Sequence, residues 1–191
     1  YGDNVSIRGI VDFSGIVFDP RGLDHEVLLN MYANELQAKH FGQSKLKDGG
    51  FVAAVGSEDG YVILDSNSLS AMNVRALDPD VLRELKLEEK YRARAELKDG
   101  QELIYVLERN AQNHPSKVRV HNAYLRDAMF FIVKADVLIT GGGIRNSIDS
   151  ENWPLFFDYD GLPVAKAIVH GANVFTEKPA TINLEQKGMV I

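Results

Sequence analysis

The sequence predicts an α/β fold, in which a parallel sheet of short strands alternates with helices. Three observations support this prediction. Short apolar runs typical of buried strands recur along the chain, helical patterns separate several of them, and three of the runs end at residues suited to turns or ligands. The 191 residues are enough for one domain of ordinary size with its own core.

The first strand is predicted at residues 5–12, an apolar run that ends at Asp12. A second apolar run follows at residues 16–18. It leads into the turn at residues 19–22, where proline presets the backbone angle and glycine relieves the end of the turn.

The first helix is predicted to begin after Asp24, which is a typical N-cap residue, and to end near residues 40–42. Apolar residues follow the cap at helical spacing, so we expect them to form the buried face of this helix. They are Leu28, Met31, Tyr32 and Leu36.

The middle of the chain predicts less regular structure. Residues 51–55 and 61–64 are apolar runs on either side of a five-residue loop, which predicts a β-hairpin. Residues 78–98 are rich in Leu, Glu, Lys and Arg, which predicts an exposed helix whose charges alternate in sign. Residues 110–116 are predicted to be a loop.

The last third predicts helices and short strands in alternation, and the strand at residues 135–140 runs directly into Gly141, Gly142 and Gly143. The remaining predicted elements are a helix at 124–133, a helix around 144–152, a turn at 158–161, a strand at 165–169, a helix at 179–187 and a strand at 189–191.

Composition excludes several classes of function. The formal charge is −6 and no basic cluster occurs, so we expect no nucleic-acid partner. No apolar run approaches the roughly 18 residues of a membrane helix, so we expect no membrane partner. The absence of cysteine fits a reducing compartment, and the five histidines lack the spacing of a zinc site. We therefore expect a cytoplasmic protein without a metal.

Three predicted strand ends could hold a ligand, because ligands of parallel α/β sheets bind beyond the carboxyl ends of the strands. An acidic residue such as Asp12 can bind ribose hydroxyls and repel a 2′-phosphate, whereas Gly141–Gly143 would let backbone approach a flat ligand. Asn173 follows the third strand. Each also has a structural alternative that stays open: Asp12 can cap its turn, the glycines can form a tight turn, and Asn173 can cap a loop.

Taken in order, these segments resemble the glutamate/leucine/phenylalanine/valine dehydrogenase family. Ile10–Asp24 is similar to that family's segment where the second Rossmann strand runs into its helix, with a D-P-x-G-[LI]-D turn. Lys134–Gly143 resembles the strand on the nicotinamide side. Ile168–Phe175 resembles the V-E-G-A-N segment, with His170 where the family has Glu. The Trp153–Phe157 stretch and the long middle insertion resemble the large NAD-dependent glutamate dehydrogenases.

The resemblance implies a Rossmann-like parallel sheet with flanking helices, incomplete because the first βα unit is missing. The chain would be one partial dinucleotide-binding domain, residues 1–191, with an insertion at about 45–115. NAD would be the cofactor. The resemblance assigns the adenosine ribose to Asp12, with Ser14 also counted as cofactor-binding. It assigns the nicotinamide ribose to the backbone of Gly141, Gly142 and Gly143, and the nicotinamide side to Asn173.

The function that the resemblance implies is the NAD-binding part of a glutamate dehydrogenase, which converts glutamate to 2-oxoglutarate and ammonia while NAD is reduced. Neither a G-x-G-x-x-G turn nor the family's catalytic lysine motif occurs in the sequence, and Lys47 beside Gly49-Gly50 matches the lysine motif poorly. We therefore assign no catalytic residue and expect the chain alone to be inactive. The full enzyme would be a homo-oligomer of the cytoplasm, or of the mitochondrial matrix in a eukaryote.

Two other functions are compatible with the sequence. One is a non-catalytic nucleotide-binding or regulatory α/β module. The other is a phosphohydrolase of the haloacid-dehalogenase type, in which Asp12 would attack phosphorus. That chemistry needs a second acid two residues later, where this sequence has Ser14.

Overall fold

The computed structural model describes residues 5–12, 14–54, 61–63, 72–87, 107–109, 115–119, 129–141, 147–171 and 175–191. The chain divides into two compact units: unit 1 is residues 1–72 with 90–129, and unit 2 is residues 73–89 with 130–191. Helices occur together with a parallel two-stranded sheet and antiparallel three-stranded sheets, so the α/β class is confirmed. The Rossmann-like topology and the single partial domain stay predictions.

The first sheet of unit 1 is antiparallel and contains strands β1 (Gly9–Asp12), β2 (Gly15–Phe18) and β3 (Phe51–Ala54), in the order β1-β2-β3. β1 and β2 are adjacent antiparallel strands, with Asp12 opposite Gly15 in the register. The central strand β2 is buried along its whole length, and the Phe18 ring packs against the Phe51 ring at 5.7 Å between centroids.

The predicted hairpin between residues 51–55 and 61–64 is wrong. β3 pairs with β2, whereas β4 (Tyr61–Ile63) pairs with β6 (Pro115–Arg119). The buried strand β2 needs backbone partners on both of its edges, and β3 supplies the second one, while β6 supplies the partner of β4. The second sheet of unit 1 is antiparallel, in the order β4-β6-β5, where β5 is Leu107–Arg109. The predicted loop at 110–116 therefore gives way to strand from Pro115, and residues 110–114 lie outside the described ranges.

Helix α1 (His25–Ala33) begins at the predicted cap, because the Asp24 carboxylate accepts a hydrogen bond from the Val27 N–H at 3.0 Å. It ends about seven residues earlier than predicted, where Glu35 adopts a left-handed backbone with φ of 52°. Residues 38–40 form a separate 3₁₀ turn.

The predicted buried face of α1 is correct for Met31 and wrong for Tyr32 and Leu36, which are exposed; Tyr32 is 86% exposed. The core of unit 1 meets α1 along Val27, Leu28 and Met31 instead. Because these three side chains span one narrow stripe of the helix, Tyr32 lies beyond its edge. The other members of this core are Ile10, Val17, Leu23, Ala38, Phe41, Leu46 and Val52.

In unit 2, helix α2 (Pro79–Glu84) starts at the N-cap Asp78 and is much shorter than the predicted helix at 78–98. Lys86 has a left-handed backbone with φ of 58°, which stops the helix. Residues 88–106, which include the rest of that prediction, lie outside the described ranges.

The parallel pair predicted near the end of the chain is confirmed. Strands β7 (Val137–Thr140) and β8 (Ala167–His170) run parallel, and Ala167 also bridges to Val190 in parallel. Helix α3 (Lys178–Gln186) matches the predicted final helix within one residue at each end.

Two predicted helices in the last third of the chain are only partly within the described ranges. Where the helix at 124–133 was expected, residues 129–131 form a 3₁₀ turn, and residues 121–128 are not described. Where the helix around 144–152 was expected, Ile148 bridges to Thr176 in parallel and residues 150–152 form a turn, while residues 142–146 are not described. The Asp149 carboxylate accepts hydrogen bonds from the backbone N–H groups of Glu151 and Asn152, which favours a turn over a helix there. The predicted turn at 158–161 is present.

The β7–β8 pair has one buried and one exposed face. Ile168 points into the core of unit 2 and is 3% exposed, whereas Ile139 and Val169 lie opposite each other on the other face, and Ile139 is 72% exposed. The expectation that residues 135–140 form a buried strand is therefore wrong for this face of β7. In the described ranges, no helix is long and apolar enough to cross a membrane.

The two faces predict that an Ile→Ala substitution lowers the free energy of unfolding by different amounts. Ile168→Ala removes a buried side chain, so we expect it to lower the free energy of unfolding by about 2–5 kcal/mol. Ile139→Ala removes a largely exposed side chain, so we expect a change within about 0.5 kcal/mol. Urea unfolding of both variants beside the wild type measures the difference. Equal losses for the two variants would contradict this assignment of the faces.

Candidate functional site

Asp12, the first candidate residue, lies at the end of β1 with its carboxylate bound to its own chain. Oδ1 accepts hydrogen bonds from the backbone N–H of Ser14 at 2.7 Å and from the Ser14 hydroxyl at 2.6 Å. Oδ2 accepts from the backbone N–H of Ala38 at 2.7 Å. The turn-capping role considered for Asp12 is thus confirmed, and the link to Ala38 adds a contact across 26 positions in sequence.

Ser14 is buried and completes this network. Its hydroxyl donates to Asp12 and accepts the backbone N–H of Lys39 at 3.2 Å. Partial burial favours the protonated form of Asp12, but the hydrogen bonds from the Ser14 hydroxyl and from backbone N–H groups outweigh it. The pKa of the Asp12 carboxyl is therefore held below its ordinary value of 3.8.

Asp19 is a second carboxylate of this kind, at the other end of β2. The side chain is buried, and its oxygens accept the backbone N–H groups of Arg21 and Lys47, each at 2.8 Å. The Lys47 ammonium donates to the carbonyls of Arg21 and Gly22 at 3.3 and 3.2 Å. The Lys47 ammonium thus stabilises the turn at residues 19–22.

The geometry limits what Asp12 can do for a ligand. Most of the acceptor capacity of its carboxylate is used by N–H and O–H groups of the chain. A ribose hydroxyl would have to share an oxygen with these donors. In the phosphohydrolase hypothesis, the Asp12 oxygen that attacks phosphorus would likewise be one that already accepts hydrogen bonds from these donors. The assignments of Asp12 and Ser14 to the cofactor stay predictions.

The other candidate residues follow β7 and β8, whose carboxyl ends lie side by side. Thr140 is opposite His170, and the backbone N–H of Gly171 donates to the Thr140 carbonyl at 2.7 Å. A Cβ atom on Gly171 would lie 2.7 Å from that same oxygen, so close strand approach requires glycine there. Gly141 is exposed, and a Cβ atom on it would meet nothing within 4 Å. The described fold therefore does not require glycine at position 141.

Gly142, Gly143 and Asn173, with the turn and loop-cap alternatives that concern them, lie outside the described residues. The structure does place the residues that flank them. Gly141 and Gly171 are at the same edge of the parallel pair, which is where the sequence predicted a ligand.

His170 is a residue of this edge that sequence reasoning noted only as a departure from the family. Its Nδ1 accepts a hydrogen bond from the backbone N–H of Phe175 at 3.3 Å. Phe175 is itself buried, and its ring meets the Phe130 ring edge-on with 4.8 Å between centroids. The imidazole is therefore held at the end of β8 by a fixed donor.

Two polar groups that support unit 2 were missed by sequence reasoning. The buried Asn73 amide donates to the carbonyls of Phe131 at 2.9 Å and Leu155 at 2.8 Å, joining segments 58 and 82 positions away. The Lys134 ammonium, just before β7, lies 2.5 Å from an Asp158 carboxylate oxygen. No local pattern signals either pairing, because the partners are distant in sequence.

The pKa of the Asp158 carboxyl is also below its ordinary value. Its burial would raise the pKa, but the hydrogen bond from Lys134 and those from the backbone N–H groups of Leu162 and Asp160 outweigh it. Among the described residues, no three His, Cys, Asp or Glu side chains are grouped so as to hold a metal ion.

The Asp12 network predicts acid sensitivity. Because the folded pKa of Asp12 is lowered, its charge stabilises the fold above the unfolded pKa, and that stabilisation is lost as pH falls through the folded pKa. Asp12→Asn weakens charge-assisted hydrogen bonds, so we expect it to cost about 1–3 kcal/mol at neutral pH. The difference from wild type then shrinks as pH drops below 3.8.

Urea unfolding at a series of pH values measures this difference. Asp48→Asn is the matched control, because Asp48 is an exposed aspartate of the same unit. A gap between Asp12→Asn and wild type that stays constant down to low pH would contradict the role given to the charge.

Comparison with curated proteins finds glutamate dehydrogenases. The chain is 24% identical over 188 residues to the "Probable NAD-specific glutamate dehydrogenase" of Schizosaccharomyces pombe, covering 98% of the chain and 12% of that protein. It is 24% identical over 189 residues to the "NAD-specific glutamate dehydrogenase" of Saccharomyces cerevisiae, covering 98% and 13%. It is 24% identical over 183 residues to "Glutamate dehydrogenase 2" of Dictyostelium discoideum, covering 96% and 13%.

The chain thus spans about an eighth of the length of the curated relatives it matches. No family model matches the sequence, and no solved structure matches it. The distant likeness extends along nearly the whole chain in all three comparisons.

Proposed function

We propose that the chain is the NAD-binding part of an NAD-dependent glutamate dehydrogenase and belongs to the C-terminal coenzyme domain of such an enzyme. The observation that carries this proposal is the likeness to three glutamate dehydrogenases over 96–98% of the chain, two of which are named as NAD-specific. A likeness of that extent covers nearly all segments of the chain in the same order, and so does not depend on a single motif.

The parallel pair in unit 2 supports the proposal. The carboxyl ends of β7 and β8 meet at one edge, and this is where dinucleotides bind in α/β sheets. Gly141 lies at this edge, and the packing of the described residues does not require glycine there. A glycine that packing does not require is expected where the backbone closely approaches a ligand.

In this proposal NAD, when bound, supplies the acceptor for the hydride that leaves the α-carbon of glutamate on the way to 2-oxoglutarate and ammonia. The residues of this chain bind and orient. Asp12, held by Ser14, accepts a hydrogen bond from the adenosine ribose, and its charge disfavours a 2′-phosphate. The backbone of Gly141–Gly143 lines the nicotinamide ribose, and Asn173 hydrogen-bonds the nicotinamide side.

The proposal gives the chain no catalytic residue, so purified chain mixed with glutamate and NAD is expected to form no NADH. The full enzyme is proposed to be a homo-oligomer of the cytoplasm or the mitochondrial matrix, without a nucleic-acid or membrane partner.

The role of Asp12 predicts the choice between NAD and NADP. We expect the chain to bind NAD at least about tenfold more tightly than NADP, because the carboxylate repels the 2′-phosphate. Asp12→Asn removes the charge and brings the two affinities to within about threefold. Calorimetric titration measures both. The ratio of the NAD affinity to the NADP affinity is the readout, because a general loss of stability lowers both affinities together.

Failure of wild type to bind either dinucleotide would overturn the proposed function. Binding with a ratio that Asp12→Asn leaves unchanged would overturn the role of Asp12 alone. Asp48→Asn again serves as the control for removing one negative charge from unit 1.

The two glycines at the strand ends predict opposite behaviour. Gly141→Ala has room in the fold, so we expect the free energy of unfolding to change by less than about 0.5 kcal/mol while NAD affinity falls about tenfold. Gly171→Ala forces Cβ against the Thr140 carbonyl, so we expect a loss of about 1–3 kcal/mol of stability. Paired unfolding and titration experiments measure both effects. Unchanged NAD affinity in Gly141→Ala would remove this glycine from the site.

A further inference from the structure

We infer that His170 donates a hydrogen bond through Nε2–H to an oxygen of the nicotinamide half of the bound dinucleotide. The inference rests on the proposed function and adds to it a specificity-determining residue at the carboxyl edge of β7 and β8.

The first step concerns the protonation state of the ring. The Phe175 backbone N–H donates to Nδ1 of His170 at 3.3 Å. A ring nitrogen that accepts a hydrogen bond carries no proton, so the neutral imidazole carries its proton on Nε2. The fold thereby presets His170 as a donor at Nε2.

The second step concerns how firmly the ring is held. Phe175 is 4% exposed, its ring packs edge-on against Phe130, and its carbonyl accepts the Ile148 N–H at 3.2 Å. The His170 backbone is fixed by the parallel register of β8 with β7. The imidazole is thus anchored through its own strand and through Phe175, and a fixed donor binds a ligand at little entropic cost.

The third step concerns the availability of Nε2. Within the part of the chain that the structure describes, the only hydrogen-bond partner of the His170 side chain is the Phe175 N–H. His170 is only partly buried, so part of its side chain is open to solvent. It lies directly before Gly171, whose N–H joins the two strand ends at Thr140.

The fourth step concerns the chemistry of the ligand. A neutral N–H donor suits an acceptor oxygen, such as a carboxamide carbonyl or a ribose oxygen. The family that the sequence resembles has Glu at this position, and an ionised Glu can only accept. His170 therefore reverses the hydrogen-bond polarity of this position. The edge that holds it is the one proposed to receive the nicotinamide ribose.

The ring state and its ligand are tested by NMR on the chain with ¹⁵N-labelled histidine. We expect His170 to show the Nε2–H tautomer without ligand. Addition of NAD, or of nicotinamide mononucleotide, is expected to shift the Nε2 resonance of His170, whereas AMP leaves it unchanged. An Nδ1–H tautomer overturns the inference. Binding of NAD that leaves His170 unchanged also overturns it, while the proposed function stands. Absence of any NAD binding overturns both.

Substitutions separate a donor from a merely structural histidine. His170→Gln keeps an N–H donor near the Nε2 position but loses the acceptor for Phe175, whereas His170→Asn keeps an acceptor near Nδ1 and loses the Nε2 donor. We expect Gln to bind nicotinamide mononucleotide within about threefold of wild type, and Asn and Glu variants to bind it about tenfold more weakly.

AMP affinity is expected to stay unchanged in all three variants. His25→Gln, an exposed histidine in unit 1, is the control and is expected to bind as wild type does. If the Asn variant keeps its affinity while the Gln variant loses it, His170 acts only by holding Phe175, and the donor role is wrong.

Discussion

Unit 1 depends on two carboxylates that satisfy backbone N–H groups which no strand or helix can satisfy. Asp12 and Asp19 flank the buried strand β2, and they accept the N–H groups of Ala38 and Lys47. The irregular segment between those two residues is therefore fixed at both ends onto the sheet, although it belongs to no sheet itself. Buried N–H groups without partners are costly, so this constraint decides where the chain after α1 can lie.

The same constraint sets structure and ligand binding in competition at Asp12. Ser14, Ala38 and Lys39 bring the carboxylate, the hydroxyl and two backbone segments together at the end of β1. A ligand that needs the carboxylate must accept a geometry already fixed by those donors. The hydrogen bonds from Ser14 and Ala38 thus fix the orientation of the Asp12 carboxylate before a ligand arrives. The same charge also stabilises the fold.

What the sequence predicted well is local. The Asp24 cap, α3 and the strands β7 and β8 follow from caps and short periodic patterns within a few residues. Long-range pairing was not predictable in this way, as the wrong hairpin shows, because β3 and β4 take partners, β2 and β6, that are distant in sequence. At the candidate site, sequence identified the strand ends. It could not tell that Gly171 serves packing and Gly141 does not, since that difference lies in the distance to the Thr140 oxygen.

The exposed face of the β7–β8 pair has a consequence for the colloidal behaviour of the chain. Ile139, Val169 and Val190 present aliphatic surface to water along adjacent strands. Excluded salts such as sulfate raise the cost of hydrating apolar surface, whereas chaotropic solutes lower it. The identity of the anion in the buffer therefore affects how readily such a face associates with other apolar surfaces. The −6 net charge opposes that association most strongly at low salt.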